Sequence, residues 1–180
     1  YSHLGYNLKP LDPQAAIGRV QMRKLPSFVE ARKANWQFLR AALDGLGDYF
    51  DFQLPTHAAG WSEDGFVWDK SRHTSDPSWF GFLLLVKPDA PFTRTELARH
   101  LDECRIGNRM LFGGNLVRQP AFVQLRKDSP ASMRVIGDMS GADRIMNDAL
   151  FVGTYPGLST SMLEYMVSEI TAFATSKPRA

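Results

Sequence analysis

A chain of 180 residues, 44% hydrophobic and 22% charged, is long enough for one domain with its own core and too short for two ordinary ones. Its 21 basic and 19 acidic residues leave a formal charge of +2, which gives no electrostatic footprint for nucleic acid or an anionic membrane. The single cysteine, Cys104, excludes an intrachain disulfide and any all-cysteine metal site, and a reducing, cytoplasmic home is the simplest reading.

The chain opens on "YSHLGYNLKP", where rings, glycines and an amide crowd together without helical or strand period. Asp12 and Pro13 then read as an N-cap with proline at the first helical position. This predicts a helix over "QAAIGRVQMRKL", thin on one side at Ala15, Ala16 and Gly18, ending at Pro26. A second helix follows to about Leu46, with Val29, Trp36, Leu39, Leu43 and Leu46 as its core stripe. The first helices have no strand before them and read as made to lie against something the chain does not contain.

Residues 55–78 are rich in Pro, Gly, Ser and charge, and predict a long loop. His57 and His73 sit there without partners at metal-ligand spacing and read as surface histidines; no metal site is expected. "WFGFLLLV" (79–86) predicts a strand buried on both faces, far short of the roughly 20 residues of a membrane span. Gly81 within it signals close approach of another backbone or a ring. Thr93 and Glu96 form a capping box for a helix to about Cys104, which reads as a small buried hydrophobe. Gly107 is the expected left-handed stop.

A short strand "NRMLF" and a loop "GGNLVRQP" come next, then a short helix over "DRIMNDAL", opened by Ser140 and Asp143. A strand and turn "FVGTYPGLS" lead to a last helix from about Thr160 to Ala174. The expected fold is α/β (α+β): a small mixed or antiparallel sheet with helices packed on it.

No nucleophile elbow, P-loop or dinucleotide glycine motif is present. The strongest candidate for binding is "NRMLFGGNLVRQP" (108–120), which gathers two glycines, Arg109, Asn115 and Arg118 at a strand end. Guanidinium forks bind phosphates and hydroxyls bidentately, and glycines let a ligand reach the backbone. A tight turn with solvated arginines accounts for the same residues, and the sequence leaves both readings open.

"HLGYNLKPLDPQAAIGRVQMRKLPSFVEAR" (3–32) resembles the segment that marks the DegT/DnrJ/EryC1/StrS family, with its G-Y-N, T-D-x-Q-A-A and Q-L-x-K-L elements. Leu11 stands where that pattern often has threonine, and Met22 where it often has leucine. The resemblance continues through "SWFGFLLLV", "RIGNRMLFGGNLVRQPAF" and "ADRIMNDALFVGTYPGLS", and so covers nearly the whole chain. The later segments are most similar to the RfbH-like branch, the 3-dehydratases of nucleotide-linked 4-keto-6-deoxy sugars (CDP-4-keto-6-deoxyglucose 3-dehydratase-like) in lipopolysaccharide O-antigen biosynthesis. "LFGGNLVRQP" replaces the His- and Tyr/Pro-rich stretch usual in the aminotransferase branch, which favours dehydratase over transaminase. A nucleotide-sugar aminotransferase and a non-catalytic assembly or ligand-binding module are the alternatives.

The resemblance implies the C-terminal portion of a fold-type I enzyme that uses pyridoxamine or pyridoxal phosphate. Residues 1–25 would end the large cofactor domain, and 26–180 would form the small domain. Asn7 would reach across a homodimer with shared active sites, to the phosphate of a cofactor held mainly by the partner. Arg109, Asn115 and Arg118 would contact the nucleotide-linked sugar. The catalytic residues, and the cysteines that hold an iron–sulfur cluster in one subgroup served by a reductase, would all lie upstream. By itself the chain is then expected to be inactive.

Overall fold

The computed structural model describes residues 5, 6, 8–62 and 64–177. A helix α1 (Asp12–Ala42) leads into a short strand β1 (Phe50–Asp51), a hairpin β2 (Ala58–Ser62) and β3 (Gly65–Trp68), and β4 (Gly81–Val86). Then come α2 (Arg94–Glu103), β5 (Asn108–Met110), α3 (Pro120–Asp128), α4 (Ser140–Asp148), β6 (Ala149–Gly153) and α5 (Thr160–Ser176). The main sheet has the order β1-β4-β6-β5, with every neighbouring pair antiparallel.

The two helices expected on either side of Pro26 are one. Proline removes a single backbone donor, and residues 11–27 are all exposed, so water can take the carbonyl it leaves unpaired. The helix also begins one residue early: Leu11 is the N-cap, because Gln14 Oε1 reaches back to accept its N–H at 2.9 Å. Burial starts only in the second half. There Trp36, Leu39 and Asn35 turn inward, and Asn35 Nδ2 donates to the Tyr155 carbonyl at 2.9 Å, tying the helix to the end of β6.

Alternation along β4 and β6 sends Phe82, Leu84, Val86, Leu150 and Val152 into one core with residues of α1, α2 and α5. Leu85, Ala149 and Phe151 occupy the opposite face, on the side of α4. Gly81 sits where a Cβ would come within 2.4 Å of the Phe151 ring and 2.9 Å of the Val152 carbonyl, the close approach the sequence signalled. The Thr93–Glu96 capping box forms as expected, with Thr93 N–H on Glu96 Oε2 at 2.8 Å.

Several expectations are corrected. Segment 55–78 is not loop throughout: β2 and β3 lie within it, and Trp61 pairs with Phe66 across the hairpin. Both rings pack on Trp36, at 5.5 and 5.4 Å, while Trp79 stacks on it at 4.6 Å. The left-handed residue after α2 is Arg105 (φ 58°), not Gly107. Helix α3 was not anticipated; with no buried residue it leaves no apolar stripe to read. Helix α4 stops at Asp148, and the Ala-Leu pair expected to end it instead starts β6, fully buried.

Candidate functional site

Edge strand β5 delivers the chain to the second face of the sheet, where it turns sharply. Gly114 N–H donates to the Leu111 carbonyl at 3.1 Å, and Gly114 (φ 57°) and Phe112 (φ 47°) both take left-handed conformations. For a bulky residue such as Phe112 that conformation is rare and strained, and it holds the ring out of the turn, 77% exposed. Phe112 lies 6.0 Å from Phe151, and Phe80, itself 64% exposed, lies 5.5 Å from Phe151 and 6.3 Å from Phe112. The three rings make an aromatic rim beside the glycine turn. Phe80 and Phe112 were not among the expected site residues, although each sits inside a singled-out segment, next to Gly81 and Gly113.

Past the turn, Asn115 is 1% exposed and spends its amide inside the protein. Its Oδ1 accepts the Val117 N–H at 3.2 Å, starting a single 3-10 turn over Leu116–Arg118, and its Nδ2 donates to Asp143 Oδ1 at 2.7 Å. Arg118 forks onto both oxygens of the same carboxylate. Asp143 lies in the first turn of α4, so one carboxylate pins the loop to that helix. Arg118, then Asn115, hold the Asp143 carboxyl down to about 2 from 3.8. Because the folded value is lowered, the clamp is complete above the unfolded value and is lost as the pH falls through the folded one. Amide protection at 116–118 is therefore expected to be flat from neutral pH to about 5 and to collapse between 3.8 and about 2. Hydrogen exchange across that range, with the Asp143 carboxyl followed by NMR, is the check.

Arg109 behaves differently. It is exposed on β5, its Nη1 donates to the Asn108 carbonyl at 2.8 Å, and among the described residues no carboxylate pairs with it. Of the three residues expected at a ligand, Arg109 thus presents a charge not neutralised by the described residues. Arg118 presents a half-exposed guanidinium already paired, and Asn115 is the frame of the loop. Asn7 lies outside the described residues.

The cavity under the turn is small, about 160 Å³, and is lined by Arg94, Met110–Gly114, Gln119 and Met146. A pocket for a drug-sized ligand runs to roughly 300–1,000 Å³, so this face can present one wall of such a site but not enclose it.

His57 departs from the surface-histidine expectation only locally. Its Nδ1 lies 3.3 Å from Asp69 Oδ2 and 3.3 Å from Ser71 Oγ. A carboxylate and a hydroxyl on the same ring nitrogen cannot relay a proton through the imidazole, so the trio clamps a turn and does not activate the serine.

The DegT/DnrJ/EryC1/StrS aminotransferase family matches residues 1–171. The chain is 42% identical over 173 residues to the lipopolysaccharide biosynthesis protein RfbH of Salmonella typhimurium, covering 96% of this chain and 35% of that protein. It is 38% identical over 173 residues to a dTDP-4-dehydro-2,6-dideoxy-D-glucose 3-dehydratase of Saccharopolyspora spinosa, covering 96% of this chain and 32% of that one. Among solved structures, an E. coli GDP-4-keto-6-deoxy-D-mannose-3-dehydratase with bound hydrated PLP superposes with a TM-score of 0.71 at 25% identity, over 92% of this chain and 36% of that chain. The Streptoalloteichus hindustanus aminotransferase TlmJ shares the fold at TM-score 0.65 and 21% identity, over 97% of this chain and 39% of that chain. The chain spans about a third of the length of these relatives.

Proposed function

Because this chain belongs to the DegT/DnrJ/EryC1/StrS aminotransferase family, we propose that it is the C-terminal third of a nucleotide-sugar 3-dehydratase, an enzyme that removes the C3 hydroxyl of a nucleotide-linked 4-keto-6-deoxy sugar. The observation that carries this reading is the 42% and 38% identity, over 96% of the chain, to a lipopolysaccharide biosynthesis protein and a 3-dehydratase. The reaction belongs to deoxysugar and O-antigen assembly, and its setting is cytoplasmic. No helix among the described residues is long and apolar enough to cross a membrane.

Pyridoxamine or pyridoxal phosphate would supply the electron sink for the loss of the hydroxyl. This segment contributes binding. Arg109 meets the sugar or its diphosphate, Arg118 offers a second and weaker contact, and Asn115 fixes the loop that carries it. Asn7 serves the cofactor phosphate of the neighbouring subunit in a homodimer. Residues 1–25 go with the cofactor domain, which accords with the exposure of every residue from 11 to 27 and with burial beginning at Phe28. An iron–sulfur cluster and a reductase partner enter this reading through cysteines upstream; Cys104 is not one of them.

The test is made on the full-length protein with pyridoxamine phosphate and a nucleotide-linked 4-keto-6-deoxy sugar. Mass spectrometry is expected to show loss of the C3 oxygen, or its exchange with ¹⁸O from water. Transfer of ¹⁵N from glutamate to C4 with the C3 oxygen retained would instead identify an aminotransferase, and neither result a non-catalytic module. In the active protein, Arg109→Ala is expected to lower kcat/KM by about 1.5–3 kcal/mol, the range for hydrogen bonds to charged groups. The melting temperature should hardly move, since Arg109 is exposed. Unfolding without a separate kinetic effect would return Arg109 to the scaffold.

A further inference from the structure

Helices α2 and α5 bring three different metal-ligand side chains to one point, none of which lines the cavity under the glycine turn. His100 and Cys104 are one helical turn apart at the end of α2, and Glu169 faces them from α5. Cys104 Sγ lies 3.6 Å from His100 Nε2 and 3.2 Å from Glu169 Oε2, and those last two atoms are 3.4 Å apart. The cysteine is therefore not the apolar filler expected of it. It is half-buried, with an imidazole and a carboxylate as its immediate neighbours.

The size of this triangle matters. A tetrahedral zinc ion with bonds of about 2.3 Å to sulfur and about 2.0 Å to nitrogen and oxygen sets its ligand atoms about 3.3–3.5 Å apart. The two edges that meet at His100 fit that face of a tetrahedron within about 0.1 Å, and the Cys104–Glu169 edge is about 0.3 Å short, which a small side-chain rotation opens. The ring of His100 is also held in place: it stacks on Phe173 of α5 at 4.9 Å and 28°. All three side chains keep partial exposure, which leaves an entry path and room for a water as fourth ligand.

We propose that His100, Cys104 and Glu169 form a site for a single divalent transition metal, zinc by the mixed N, S and O donor set, which ties the end of α2 to α5. Thiolate and imidazole select a borderline-soft ion over magnesium or calcium. Three protein ligands with one open position leave such an ion exchangeable. The site is independent of the sugar chemistry proposed above and stands or falls separately from it.

The test uses the full-length protein, reduced, stripped with a chelator and then freed of it. Co²⁺ is expected to raise a near-ultraviolet thiolate-to-cobalt charge-transfer band, and the part of it due to this site is the difference from Cys104→Ser. His100→Gln and Glu169→Gln should each weaken that binding by at least about tenfold. A readout that needs no variant is alkylation of Cys104 by iodoacetamide, followed on its own peptide, which Zn²⁺ should slow and chelator restore. An alkylation rate indifferent to zinc overturns the site, however the variants fold. So does a cobalt band that survives unchanged in Cys104→Ser.

Discussion

Trp36→Ala is expected to cost about 3–5 kcal/mol, the range for deleting a large buried aromatic side chain. Trp36 is 3% exposed and touches the rings of Trp61, Phe66, Trp79 and Phe82. It joins α1, the hairpin and the head of β4, so its loss leaves a cavity that three separate elements line and that none can collapse to fill. Amide exchange in β4 and β6 of the full-length protein is the readout. It should quicken by about two to three and a half orders of magnitude, the stated energy at 1.4 kcal/mol per decade. Trp36→Phe keeps a ring in the cluster and should recover much of the loss. An exchange rate unchanged in Trp36→Ala would mean that α1 and the hairpin do not share this core.

Gly114→Ala carries the second large effect, about 2–4 kcal/mol, from the left-handed backbone and from crowding together. At φ 57° an L side chain is strained, and the new Cβ would stand 2.6 Å from Met146 Cβ and 2.8 Å from its Cα. The second contact is with main chain of α4, which cannot step aside as a rotamer can. Gly113→Ala is the control. Its Cβ would meet only the tip of Leu116, at 2.7 Å from Cδ2, and a rotamer change relieves that. Gly113→Ala should therefore cost less than about 1 kcal/mol. In the full-length protein Gly114→Ala should also lower kcat/KM, because the turn positions Phe112 and leads into the Arg118 clamp. If the two alanine variants melt together, the turn is not built against α4.

What the sequence revealed of this fold follows a physical rule: signals between neighbours on one element were legible, and signals between elements were not. The Thr93–Glu96 pair is three residues apart and closes on itself, so it could be read directly. Trp36, Leu39, Leu43 and Leu46 are buried as their spacing predicts, although α1 ends at Ala42, short of the expected Leu46, and Leu46 belongs to a 3-10 turn that follows. Trp61 and Phe66 looked aperiodic because their regularity is cross-strand, with Trp61 opposite Phe66 in the hairpin register. Pro26 misled because the penalty of an interior proline is bearable on a stretch that water reaches from every side.

The candidate site divides the same way. Its arginines and glycines mark a candidate by residue type alone, and a tight turn with solvated arginines has the same signature. Asp143, which holds Asn115 and Arg118, is 25 residues beyond the arginine and gave no local sign of that role. Its expected part was to help open α4. The same holds for the cluster on α2 and α5: His100 and Cys104 show helical spacing, but Glu169 is 65 residues further on. Only folding makes them neighbours.

The outward half of α1 has a practical consequence for anyone handling this polypeptide by itself. Ile17, Val20, Met22 and Leu25 stand in water along a helix that makes no core of its own there. Against that adhesive surface the chain sets a formal charge of only +2, too little for one molecule to repel another strongly. In colloidal terms it is a sticky particle with a thin electrostatic coat. Light scattering from a concentrated solution should show attractive interparticle behaviour that added salt does not relieve, and that Ile17→Lys together with Met22→Glu does.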